Sequence, residues 1–249
     1  MKILFSGSNA FCKWFGNDIE RYPSFNASQV GRRPLTSDDE RMCWQCQYYE
    51  LGKYFGSGDR GHCVIAVEAN TRMTVFIPVF SADKADFEVH FTQSLAEAVE
   101  HMLATDPKRR FEKMAFLAQL EQLDQRLESF EWVRNTDMSV NGHVADAEQW
   151  LSQEYREAGS LIKTDLAGLQ LHLNTLPKRI KISDQPKRHK KVIPDLDFID
   201  YWARQFSESF SEGISNTLND IPVPEAGSPA DASNVICMKT FKQRKSLDN

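Results

Sequence analysis

The sequence predicts an α+β fold. A small antiparallel sheet, carrying a β-hairpin over residues 63–80, packs against about four helices, and a helical arm is appended at the C-terminal side. Three observations predict it. Two β-rich runs, Cys63-Val64-Ile65-Ala66-Val67 and Met73 through Phe80, flank a short polar turn containing Asn70. Downstream of residue 90, apolar residues recur at helical spacing in successive stretches separated by capping and stop residues. The chain has 249 residues, 41% hydrophobic and 26% charged. That is enough to bury a core, and it excludes a disordered chain, a collagen and a disulfide-dense mini-protein.

Along the chain, residues 1–60 show no sustained period. Phe11, Trp14 and Phe15 begin a short helix, and 22–42, with Pro23, Gly31 and Pro34, reads as a long loop. Residues 42–55 are aromatic enough for a strand or a buried helical turn. The hairpin follows, and Pro78 ends its second strand or places it at an edge, because proline has no N–H to donate. Ser94-Leu95-Ala96-Glu97 has capping-box spacing ahead of Val99, Met102 and Leu103. Asp106-Pro107 opens a second helix with Phe111, Met114, Leu117, Leu120 and Leu127 on one face. A third helix spans about 139–158, with Val140, Val144, Ala147, Trp150 and Leu151 on one face and Gly159 as its stop. Thr164 caps a fourth, which ends before Pro177.

At residue 178 the composition changes. Lys178 to Lys191 holds seven Lys/Arg and one Asp, read here as a basic linker over 178–194 that closes the 1–177 domain. Residues 195–218 then form an amphipathic helix. Asp195, Asp197 and Asp200 favour its N-terminal dipole, and Phe198, Trp202, Phe206, Phe210 and Ile214 recur every four residues. Residues 219–249 read as a flexible tail.

The 44–177 stretch carries three short pieces: His62-Cys63-Val64-Ile65 with Thr71 through Pro78, then Lys84, Asp86 and Phe87; Asn135-Thr136-Asp137-Met138-Ser139-Val140-Asn141-Gly142; and Leu173-Asn174-Thr175-Leu176-Pro177. In order and spacing it resembles an uncharacterised prokaryotic domain family, catalogued as a domain of unknown function. The resemblance implies a small bacterial α+β domain with no agreed reaction or ligand. Met138 stands where the family often has Arg, which weakens any polar role at that position. The family type suggests an accessory or regulatory subunit, of the kind encoded with toxin–antitoxin or phage-defence systems.

Candidate chemistry is sparse. Cys43-Trp44-Gln45-Cys46 is a CxxC pair, and with His62 and Cys63 it offers four zinc ligands. Against this, adjacent strand residues face opposite ways, so His62 and Cys63 cannot both aim at one ion. The other reading is unliganded thiols with Cys63 in the core, and no other cofactor is indicated. Five cysteines, an odd number, do not form a secreted disulfide framework. No local signature selects a His base for a cysteine nucleophile, and Asp86/His90 and Glu97/His101 read as solvated i,i+4 pairs. No phosphate-binding glycine loop, HExxH, GxSxG or EF-hand loop is present.

Two partner readings remain. The aromatic helix either packs back onto the domain or docks a second protein through Phe198, Trp202, Phe206 and Phe210. The basic segment, Lys187-Arg188-His189-Lys190-Lys191, is either a solvated linker or a contact to nucleic-acid phosphates through Lys187, Arg188, Lys190 and Lys191. The leading expectation is a non-enzymatic interaction protein. Nucleic-acid binding and a zinc- or cysteine-dependent enzyme are the alternatives. No apolar run approaches the ~20 residues that span a bilayer, and Met1 to Gly7 is too short a core for a secretory signal, so a cytoplasmic location without membrane contact is expected.

Overall fold

A five-stranded mixed sheet runs in the order β4 (Thr74–Pro78), β3 (His62–Glu68), β2 (Arg41–Glu50), β1 (Lys2–Gly7), β5 (Ser129–Arg134), with β1 an interior strand next to the β5 edge. The computed structural model describes residues 1–16, 18–24, 30–52, 61–79, 86–105, 129–182 and 185–206. β1 pairs in parallel with both β2 (Arg41–Glu50) and β5 (Ser129–Arg134). β3 (His62–Glu68) and β4 (Thr74–Pro78) add antiparallel strands beyond β2. The α+β class and the 63–80 hairpin stand. The sheet, however, is mixed where an antiparallel one was expected, because the long connections around β1 are crossovers, which parallel strands require.

Period-two alternation gives the sheet two buried faces. On the first, Phe5 sits under Trp132 at 4.5 Å and Phe91 at 4.8 Å, and Trp44 meets Phe91 edge-on at 5.1 Å. This face is covered by α1 (Asn9–Phe15) and α2 (Phe87–Thr105). On the second face Cys63, Ile65, Val67 and Phe76 pack under α3 (Met138–Ala158) and α4 (Leu166–Thr175). Burial on both sides explains why β3 reads as a continuous apolar run without alternation.

Several boundaries differ from the sequence reading. α2 starts at Phe87, so the capping-box residues Ser94 and Glu97 lie inside it. The buried rings of Phe87 and Phe91 extend its apolar face one turn and more upstream. α3 matches closely: Asp137 caps it, accepting the Ser139 N–H at 2.7 Å, and Gly159 closes it at φ 78°, where a side chain would be strained. For α4 the cap is Asp165, accepting from Gly168, and Thr164 follows the short 3-10 turn Leu161–Lys163. The helix expected from Asp106 lies outside the described residues.

The free edge of β4 is closed by α4. Asn174 accepts the Thr74 N–H at 2.8 Å and donates to the Thr74 carbonyl at 2.9 Å, while Gln170 accepts the Phe76 N–H. Two carboxamides one helical turn apart thus stand in for a neighbouring strand and block edge-to-edge pairing.

Buried polar groups stitch the middle of the molecule. Gln45 donates to the Ser6 carbonyl at 2.8 Å and accepts the Asp137 N–H at 2.9 Å. Asn135 accepts from the Arg33 N–H at 2.8 Å and donates to its carbonyl at 3.0 Å; Asp137 accepts the Leu35 N–H at 2.7 Å. The loop entering β2 is therefore tied to the turn that opens α3. The Asn135-Thr136-Asp137 piece of the sequence is a structural hinge of hydrogen bonds, each satisfying a backbone group that would otherwise be buried unpaired.

Candidate functional site

The segment 178–192 is a two-stranded antiparallel ribbon, which corrects its reading as a linker. β6 (Lys178–Ile182) pairs with β7 (Gln185–Val192), with an irregularity between Lys181 and Ile182. The register sets Arg179 opposite Lys191 and Lys181 opposite His189. Like charges directly across a ladder repel, so this pairing persists only because the cations are solvated or meet a counter-charge. Arg179, His189, Lys190 and Lys191 are exposed, while Val192 is buried. Alternation then gives the ribbon two unlike faces. One carries Arg179, His189 and Lys191. The other carries Lys178, Ile180, Lys190 and Val192 and turns to the domain, where Lys190 pairs with Asp197 at 3.7 Å. The side chains of Lys187 and Arg188 lie outside the described residues.

His143 of α3 anchors the ribbon from inside. Its imidazole is pushed down to about 4, first by burial, then by the Arg72 guanidinium and the Lys178 ammonium, against opposing help from Asp146 and a hydrogen bond to the Arg179 backbone. Lys178 is itself pulled below its ordinary value by burial. It is therefore a poor phosphate contact, unlike the exposed cations beyond it. A pH dependence follows. The unfolded chain protonates this histidine near 6.5, while the folded one resists until about 4. Between those values the unfolded state binds more protons, so stability present above pH 6.5 is lost as the pH falls toward 4. Allowing for screening at a half-buried site, the loss is on the order of 2 kcal/mol. Urea melts at pH 7 and pH 4.5 should show a smaller difference for His143→Gln than for wild type. Equal differences would remove His143 as the cause.

The proposed zinc ligands do not converge. Cys43 and Cys46 are three residues apart on β2 and point to opposite faces of the sheet. Cys63 shares the face of Cys43 but pairs with Tyr49, six residues along the strand and about 20 Å away. His62 lies on the other face, its Nδ1 2.6 Å from the Tyr48 hydroxyl. Among the described residues no group of three His, Cys, Asp or Glu side chains is placed to hold a metal ion. Burial pushes the Cys43 and Cys63 thiols up to about 12 and Cys46 well above its ordinary value. Burial also raises Cys12. Thiolate, the form that ligates metal or attacks substrate, is disfavoured at each of these four.

The aromatic helix, α5 (Pro194–Phe206), turns its first two anchors inward. Phe198 is 0% and Trp202 1% exposed. The Phe198 ring lies 6.0 Å from those of both Trp44 and Trp202, and the Tyr201 hydroxyl donates to the Asp38 carbonyl at 2.9 Å. These two residues fill the core over Trp44 and are not free for a second protein. The side chain of Phe206, Phe210 and the rest of 207–249 lie outside the described residues.

Sequence reasoning therefore picked out the basic segment but missed its form, and with it Arg179 and His189. The signal was present: Lys178-Arg179-Ile180-Lys181-Ile182 alternates with period two, and Ser183-Asp184 follows as a turn pair. No family model, curated protein or solved structure matches the chain. Among the described residues, no helix is long and apolar enough to cross a membrane.

Proposed function

We propose that this protein binds the phosphate backbone of a nucleic acid along the outer face of the β6–β7 ribbon. The observation that carries this reading is the exposed pairing of Arg179 with Lys191, flanked by His189, in a chain whose net charge is -5. Localised positive charge on an acidic protein concentrates polyanions at one place. A two-stranded ribbon also has the width to enter a major groove. Nothing in its composition selects a base sequence, so the binding is by backbone charge.

The test is fluorescence anisotropy with a labelled 20-base-pair DNA of arbitrary sequence between about 50 and 200 mM salt, where phosphate contacts make affinity fall steeply. The double variant Arg179→Ala, Lys191→Ala should bind at least ~5-fold more weakly. Its salt slope should be shallower by about 0.9 per lost phosphate contact. Substitutions at exposed positions should leave the melting temperature unchanged. An unaltered affinity and slope in the variant, or no binding by wild type at the lowest salt, would refute the ribbon as the interface.

A further inference from the structure

A second feature lies at the carboxyl end of β1. There β1 has parallel neighbours on both sides, and the chain leaves β1 and β5 toward opposite faces: into α1 on one, into α3 on the other. In open sheets this divergence leaves a crevice, and ligands favour it. A crevice of about 340 Å³ is present here, at the small end of ligand sites. Its polar lining comes from four places in the chain: Ser8 and Asn9 after β1, Gln47 on β2, Thr136 after β5, and Asn141 and Glu148 two turns apart on α3.

Apart from Ser8, these side chains are not consumed by the fold among the described residues. Ser8 accepts the Phe11 N–H at 3.2 Å to cap α1. The side chains of Asn9, Gln47, Thr136, Asn141 and Glu148 make no hydrogen bond within the described residues. That contrasts with Gln45, Asn135 and Asp137 nearby, whose polar atoms are spent on backbone groups. Glu148 is half-buried, and burial alone raises its carboxyl above the ordinary value, with no charged neighbour acting on it. Among the described residues, no Lys, Arg or His lines the crevice.

That lining selects a chemical class. Without a cation, and with a carboxyl present, a phosphate or carboxylate ligand has nothing to neutralise it. Each carboxamide sets a donor beside an acceptor, the arrangement that reads the edge of a nucleobase. A planar heterocycle presents a donor and an acceptor side by side on one rigid edge and so matches a carboxamide in a single plane, whereas a hydroxyl carries both on one freely rotating atom. Ala10, Val144 and Ala145 supply a small apolar wall against which a ring can lie. We infer that the crevice at the carboxyl end of β1, between the start of α1, β2 and α3, is a binding site for a nucleoside lacking phosphate, held by Gln47, Asn141 and Glu148. This does not rest on the ribbon. Asn141 and Glu148 lie on a different stripe of α3 from His143, and the ribbon variant should keep the site.

The test is titration of ¹⁵N-labelled full-length protein with adenosine, adenosine 5′-monophosphate and glucose, following the side-chain amide signals of Gln47 and Asn141. Adenosine should shift both signals and saturate. The monophosphate should bind on the order of tenfold more weakly, a difference of about one decade in Kd. Glu148→Gln keeps a hydrogen-bonding group and removes the charge, so it should retain adenosine and bring the monophosphate to within a few-fold of it. Gln47→Ala should weaken adenosine about tenfold. The site assignment is overturned if adenosine moves neither amide up to its solubility limit. Equal affinity of wild type for adenosine and its monophosphate, or for glucose and adenosine, overturns the ligand class.

Discussion

Trp202→Ala should destabilise the protein by about 3–5 kcal/mol, the range for truncating a large buried aromatic. The indole is 1% exposed and contacts Phe198, which in turn covers Trp44. Removing it opens a cavity bordered by the sheet's first face, where rigid neighbouring rings can relax only partly. Phe198→Ala should have a comparable cost, and the two should couple because their rings touch. Urea denaturation reads the effect as a lower midpoint at nearly constant slope. The opposite outcome is specific. If α5 were a free arm kept for a partner, the Trp202 variant would unfold within ~0.5 kcal/mol of wild type, as exposed positions do.

Asp137→Ala should be as damaging, for electrostatic reasons. Its carboxylate caps α3 through the Ser139 N–H and holds the Leu35 N–H at 2.7 Å. It is also the stronger of two acids, with Glu68, that favour the charge on Arg72. Arg72 is 2% exposed, and burial pulls its guanidinium below the ordinary value. Its Nη2 reaches the Ser139 hydroxyl at 3.4 Å, while Nε and Nη1 have no partner among the described residues. Glu68 is already engaged by Ser37 and by the Asn70 and Thr71 N–H groups. Removing one partner of a buried charge arrangement costs about 3–5 kcal/mol. Asp137→Asn separates the contributions: it keeps an acceptor for one N–H and loses the charge, so its cost should fall between wild type and Asp137→Ala. Combining each with Arg72→Met gives a cycle whose coupling should be about 1–3 kcal/mol. A loss below ~1 kcal/mol for Asp137→Ala would show that Arg72 is neutralised by another route.

These residues show where the sequence was readable. The β3–β4 hairpin and α3 were legible because their signals are local: β-branched runs around a polar turn, and a helical stripe between Asp137 and Gly159. The start of α2 was missed because Ser94 and Glu97 mimic a cap, while the rings of Phe87 and Phe91 that set the true start pack on strands far away in sequence. The CxxC pair suggested metal because spacing is visible and strand direction is not. On a helix or turn Cys43 and Cys46 could converge, whereas on β2 they diverge. The ribbon was legible as charge and illegible as a pair, since a strand paired only to its neighbour has little apolar signature.

By itself the sequence determined the α+β class, the hairpin, the amphipathic character of α3 and α5, and the concentration of positive charge at 178–191. Each element follows from residue type and period within a stretch of about twenty residues. Only the tertiary structure decided the rest. It placed β1 between two parallel neighbours in a mixed sheet, turned Phe198 and Trp202 inward, set Arg179 across from Lys191, and left the amides around Glu148 facing a crevice. The physical reason is the same in each case. Periodicity states that a face must be covered, or that charges are crowded. It does not state what covers the face or which charges meet, because those depend on contacts between residues from about a dozen to more than a hundred positions apart.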